Sequence, residues 1–386
     1  MTRTTTEHPA AAFADTKPHY DILDGLRGVA ALLVIWYHVF EGFAASPLDQ
    51  RFNHGYLAVD FFFLLSGFVI GYAYDDRWRG RMTLGAFFRR RLIRLHPMVV
   101  LAAVLGAVAF CLQGSVRWDG TPVAFPTVLA AMLLAMLLLP VAPGAGAEVR
   151  GNGEMFPLNG PSWSLFFEYI GNILYALVLR RLSTRALATL VALTGAGLAA
   201  FAVGDLSGFG HLGVGWSLGD HNLLGGLLRL AFSFPAGLLL ARIFRPVAVR
   251  GAFWICSAAL VLLLAVPHAG GAEALWLNGI YDSVCVLVCF PALLWLGASG
   301  RTTDRTSTGV CRFLGDISYP VYIIHYPSMY LFYAWLWRGE PIGFDRAWPV
   351  AAGLFAGNIV LAYGCLKLYD EPVRRWLARR FLDASK

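Results

Sequence analysis

Residues 23–44 read LDGLRGVAALLVIWYHVFEGFA. From Leu26 to Ala44 this is an apolar run of the length that a bilayer core demands, about 20 helical residues. Within it Arg27, His38 and Glu41 are the residues of acidic, basic or imidazole type. A helix turns about 100° per residue, so Arg27 and His38 share one face, roughly 16 Å apart along the axis. Glu41 lies on that face one turn further on. An ionisable side chain at the bilayer centre costs about 2.5–3.5 kcal/mol on insertion scales. A cation, an imidazole and a carboxylate kept on one face therefore point to a polar cavity, with the arginine near a membrane surface and the histidine deeper.

The rest of the chain repeats this pattern. Of 386 residues, 58% are hydrophobic and 14% charged, where soluble domains average about 25% charged. So little charge cannot cover a water-facing surface. Apolar runs of spanning length fall at about 26–44, 55–74, 92–113, 161–180, 186–204, 223–243, 251–267, 274–298, 317–337 and 347–368. A further run, about 126–142, is bracketed by Pro126 and Pro140 and is short for a span. The arginines decide how to treat it. Arg77, Arg79, Arg81, Arg89, Arg90, Arg91 and Arg94 follow the second span, and later groups follow the fourth, sixth, eighth and tenth. All share one side, the cytoplasmic one, if 126–142 does not cross. The expected fold is an all-α, polytopic transmembrane bundle of about ten spans, with one short re-entrant or interfacial segment.

The expected organisation is a polar cytoplasmic tail (1–19), a single transmembrane domain (20–375) and a cytoplasmic C-terminal tail (376–386). No small-residue cleavage pattern follows the first apolar run, so it reads as a retained span. The net charge of +7 is gathered in arginine groups between apolar runs, which speaks for topology and anionic lipid and against nucleic acid. The six cysteines form no CxxC pair and read as packing residues; no metal site is expected.

Four further segments carry polar residues inside or beside spans. Asp60 enters the second span at a depth comparable with His38, followed by Ser66-Gly67, which reads first as small-residue helix packing. Trp163, Ser164 and Glu168 open the fourth span, the last two one turn apart on one face. Ser318, Tyr322 and His325 form a stripe in the ninth, which also carries Pro320 and Pro327, prolines that leave backbone carbonyls unbonded. Arg91 and Arg94 stand one turn apart before Pro97, and forked guanidinium groups suit phosphates.

Taken together these segments resemble the membrane-bound acyltransferase-3 family, of the O-antigen, exopolysaccharide and nodulation-factor O-acetyltransferase type. Arg27 and His38 match its arginine, ten residues, histidine motif. Asp60 to Phe68 match its Asp-Phe-Phe…Ser-Gly-Phe element, and Arg91, Arg94 and Pro97 its basic element. Trp163 to Glu168 match Trp-Ser-Leu-x-x-Glu; Ser318, Tyr319, His325 and Pro327 match the late Ser-Tyr…His-x-Pro; Glu371-Pro372 match the final Glu-Pro. The matches run in family order from about residue 20 to 375.

The resemblance implies a bacterial inner-membrane enzyme, with no tightly bound cofactor, that takes acyl-CoA, usually acetyl-CoA, as cosubstrate. The acceptor it implies is a hydroxyl of a carbohydrate or glycolipid. Arg27, Arg91 and Arg94 are the expected phosphate-binding set. His38 is the expected general base, with Asp60 or Glu168 as its orienter. Trp163, Tyr322 and His325 are candidates for donating to the thioester oxyanion; Trp163, Ser164 and Tyr322 are the expected substrate-binding set, and a covalent acyl-enzyme on Ser66, Ser164 or His38 is the alternative to direct transfer. A multispan transporter or flippase of a sugar or lipid is the rival reading. Transporters commonly carry inverted repeats and paired broken helices, and neither pattern is visible here.

Overall fold

The computed structural model describes residues 19–45, 49–50, 52–80, 82–340 and 342–382. Most of the polar N-terminal tail, Arg81 and the last four residues lie outside them. The described residues form helices joined by loops. They are α1 (Asp21–Glu41), α2 (Ala58–Tyr74), α3 (Leu84–Leu112), α4 (Phe125–Met136), α5 (Ser162–Leu177), α6 (Thr184–Val203) and α7 (Asp220–Ile243). Then come α8 (Ala252–Ala265), α9 (Trp276–Val284), α10 (Phe290–Ser299), α11 (Arg305–Leu336), α12 (Phe344–Cys365) and α13 (Glu371–Phe381). Wide π-turns at Cys285–Cys289 and Leu366–Asp370 carry α9 into α10 and α12 into α13 without a break.

Among the described residues, eight helical segments are long and apolar enough to cross a bilayer. Two more complete the ten expected passages. The polar stripe of the 32-residue α11 lowers its hydropathy but not its reach. α8 has only 14 residues, yet it runs the depth of the bundle. Ala252 at its start packs near Ile22 and Gly300, and the Leu264 carbonyl at its end accepts from the His54 N–H.

α1 and α11 form the central pair, and they are parallel. A Cβ at Gly28 would stand 2.3 Å from the Leu314 carbonyl oxygen, so only glycine lets the two backbones meet there. At the other end Gly42 packs on Tyr333 and Leu336. Parallel first and ninth passages need an odd number of crossings between them. α8 supplies its crossing, so α4 must not cross. The chain around α4 agrees. The Trp118 N–H, before the helix, bonds to the carbonyl of Arg150, after it. Twelve residues reach only about 18 Å. The 126–142 segment therefore ends on the side where it began, packed against α3 through Ala107, Phe110, Val128 and Ala131.

The bundle has an arginine end, where α1 and α11 begin and α13 lies, and a histidine end, where His38, His54 and the 143–160 loop sit. A cysteine placed at exposed Asn152, in an otherwise cysteine-free chain, is expected to react with a membrane-impermeant maleimide added outside intact cells. Labelling only after the cells are broken open would reverse the proposed sidedness.

Candidate active site

α11 is interrupted by two prolines, and the consequences organise the site. Pro327 has no N–H to give to the Ile323 carbonyl one turn back. The Asn159 side chain takes that carbonyl instead, at 2.8 Å. One turn away the buried His325 ring directs Nδ1 at the Tyr322 carbonyl, 2.8 Å distant. A carbonyl only accepts, so Nδ1 carries the proton and Nε2 is an acceptor. That Nε2 is buried and has no partner among the described residues.

His38 on α1 faces this ring, with centroids 5.5 Å apart and planes 28° from parallel. Its Nδ1 lies 2.7 Å from Glu41 Oε2, one turn along the same helix. An ionised carboxylate accepts Nδ1–H, which leaves His38 Nε2 as the basic atom. Tyr333 Oη donates to the His38 carbonyl at 2.6 Å and lies 3.1 Å from the same Glu41 oxygen, fixing the pair to α11. The Tyr326 ring stands edge-on, 4.7 Å from His38. The dyad is not sealed: the His38 side chain is 17% exposed and Glu41 40%.

At the arginine end, Arg27 Nε donates to Ser318 Oγ at 2.8 Å, and its Nη2 pairs with Asp24 at 2.7 Å. Arg91 is nearly buried and pairs with Glu168 at 2.8 Å; Ser66 Oγ donates to the same carboxylate oxygen. Arg94 differs. It is exposed, it lies in reach of the charges of Arg27, Arg91 and Arg374, and among the described residues it makes no hydrogen bond. Arg374, on α13, is held by Asp370 at 3.0 Å. Between the two ends, Ser164 and Tyr322 hydroxyls meet at 2.6 Å. Arg27–Ser318, Ser164–Tyr322 and His325–His38–Glu41 thus form a polar line along α11.

Three expectations need correction. Asp60 does not reach His38: it is fully buried against Arg229, which donates Nε and Nη2 to it at 2.8–3.2 Å. Arg229 also donates to the carbonyls of Val214 and Tyr56, so the pair locks α2, α7 and two loops. Glu168 does not orient His38 either, because the nearer Arg91 captures it. Trp163 packs its ring on the Arg229 guanidinium, 5.2 Å away, rather than facing the histidines. Glu41 takes the place expected for Asp60 or Glu168. The missed arginine had a signal, a lone charge in the midst of LLGGLLRLAFSF (223–234).

A second buried polar group lies at the histidine end. Tyr56 Oη donates to both Asp282 oxygens at 3.0 Å, and the rings of His54, His211 and His268 gather round it. Burial, reinforced by neighbouring His268, pushes His54 and His211 down to about 3, so both loop imidazoles are neutral. Among the described residues no group of His, Cys, Asp or Glu is arranged to hold a metal ion.

Comparison with known proteins follows the same line. The family model described as an acyltransferase domain matches residues 20–367. The acyltransferase MdmB of Streptomyces mycarofaciens is 27% identical, over 93% of this chain and 92% of its own length. Protein 2 in picA locus of Rhizobium radiobacter is 40% identical over 163 residues, covering 40% of this chain and 80% of its own. Shorter matches, 38% identical over 96 residues, reach Staphylococcus aureus proteins whose names carry the word O-acetyltransferase; they cover 24% of this chain and 14% of theirs. No solved structure matches the chain. With a helical membrane bundle and a family match over nearly its whole length, the chain belongs to the acyltransferase-3 family and is a multi-pass membrane O-acyltransferase.

Proposed function

We propose that this enzyme moves an acyl group, most simply acetyl, from acyl-CoA bound at the arginine end to a sugar hydroxyl bound at the histidine end. The observation that carries the reading is the His38–Glu41 dyad, whose proton-accepting Nε2 sits at one end of a polar line that starts in unpaired guanidinium charge. In this reading the protein lies in a bacterial cytoplasmic membrane with the arginine end and both termini inside. CoA brings several phosphates, and Arg94 is the cation in the cluster with no carboxylate bonded to it. Arg27 and Arg374 stand beside it, while Arg91 is largely spent on Glu168. The pantetheine arm then extends the thioester along α1, over roughly 16 Å, toward His38.

At that point His38 Nε2 takes the proton from the acceptor hydroxyl as its oxygen attacks the thioester carbonyl. The tetrahedral intermediate collapses, the carbon–sulfur bond breaks, and the imidazolium returns its proton to the departing thiolate. Glu41 holds the ring and stabilises the imidazolium, the part an orienting carboxylate plays in hydrolase triads. Tyr322 is the tyrosine hydroxyl on the line that serves the oxyanion, and Ser164 holds that hydroxyl in place.

The test is mass spectrometry of surface glycans and glycosylated small molecules from cells with and without the protein. An acyl mass on a sugar hydroxyl that depends on the protein is expected. Its absence, with transport of an unmodified sugar or lipid instead, would favour the transporter. Arg94→Gln is expected to raise the KM for acetyl-CoA about tenfold or more with kcat little changed, since a hydrogen bond to a charged group contributes about 1.5–3 kcal/mol. An unchanged KM would remove Arg94 from the donor site.

A further inference from the structure

A cavity of about 460 Å³ opens at the histidine end between the last turns of α1 and α11 and the first turn of α12. Phe40, Phe43, Leu336, Trp337 and Phe344 give it ring and aliphatic walls, and exposed Asp49 stands on its rim. It lies in the size range of small-ligand sites, roughly 300–1,000 Å³. Its floor is tied to the dyad. Gly42, which lines the cavity, directly follows Glu41. The ring of Tyr333, whose hydroxyl holds Glu41, stacks on Trp337 at 5.1 Å and 15°.

Trp337 is unusually constrained for so open a residue. Its Nε1 donates to the Gly42 carbonyl at 3.0 Å, Tyr333 covers one face, and the Trp118 ring abuts it edge-on at 5.3 Å. The indole nevertheless remains 49% exposed. A pinned, open indole beside a carboxylate suits a ligand with one apolar C–H face and hydroxyls at its edge. An indole that merely anchors the bundle at the membrane surface needs no such restraint.

We infer that this cavity is the acceptor subsite and that it takes a saccharide ring, packed on Trp337 with the reacting hydroxyl toward Glu41 and His38. The inference rests on the acyltransferase reading for its link to His38, but not for the binding itself. A ring's C–H face and an indole face exclude water from each other, which supplies affinity. The acceptor thus enters from the end opposite the donor.

The experiment is saturation-transfer NMR on the full chain in lipid nanodiscs. The probes are the methyl glycosides of glucose, mannose, galactose and rhamnose. At least one is expected to receive saturation, strongest on its ring C–H protons, and to keep it in the presence of excess CoA. The signal should fall at least fivefold in Trp337→Ala and persist in Trp337→Phe and in Trp335→Ala, the neighbouring exposed indole. No saturation of any glycoside in the parent protein overturns the inference, and so does an equal loss in Trp335→Ala and Trp337→Ala, the mark of a membrane anchor. Trp337-dependent binding in a protein that does not turn over acyl-CoA upholds the subsite and refutes the donor. Acyl-CoA turnover without such binding does the reverse.

Discussion

With His38 replaced by alanine, acyl transfer is expected to fall by roughly 10²–10⁴-fold, the usual weight of a positioned general base. A sugar hydroxyl is a poor nucleophile until its proton is removed. Between the two facing imidazoles, His38 is the one whose ring a carboxylate orients, which leaves its Nε2 to accept the proton. Neighbouring His325 uses Nδ1–H on a backbone carbonyl and is fully buried, with no carboxylate on its ring. The measurement is single-turnover transfer from radiolabelled acetyl-CoA in nanodiscs, with retention of the folded state checked by gel filtration. Glu41→Gln keeps an acceptor for Nδ1–H but drops the charge that favours the imidazolium. It is expected to lower kcat more than KM. Normal turnover by the His38→Ala protein would end the base assignment.

The second large effect is on stability. Asp60→Asn or Arg229→Met leaves one charge of a sealed pair alone in the bundle. Breaking a buried ion pair this way costs about 3–5 kcal/mol. Both side chains are completely inaccessible, and Arg229 also ties the Tyr56 and Val214 carbonyls. Both variants are therefore expected to unfold at markedly lower temperature in detergent and to accumulate poorly in membranes. The folded fraction should retain near-normal turnover per molecule. Replacing both residues with apolar ones of similar size is expected to recover part of the loss, since the stranded charge is gone. Full thermal stability of Asp60→Asn together with abolished turnover would return Asp60 to the catalytic group.

How far the residues alone carried the site is clearest by comparing Glu41 with Asp60. Periodicity along one helix placed Arg27, His38 and Glu41 on one face, and that relation holds in space, because a helix fixes its own neighbours. Asp60 sat at the right depth, and depth was all its position in the second span could reveal. Which partner it would meet depended on α7, whose Arg229 lies 169 residues later in the chain. Glu168 was captured in the same way by Arg91. Charge seeks the nearest opposite charge, and sequence does not contain the rotation of one helix against another.

The amino-acid sequence by itself determined that the chain is a helical membrane bundle and where its long apolar passages fall, because bilayer thickness and arginine placement act on local segments. It also determined which side chains had to face inward, since lipid penalises them anywhere else. Only the tertiary structure decided the pairings between helices: Arg229 with Asp60, Arg91 with Glu168, and Arg94 left over. Those choices follow from close helix approach at residues such as Gly28, where the absence of one carbon sets the distance and register at which every distant polar group must find its partner.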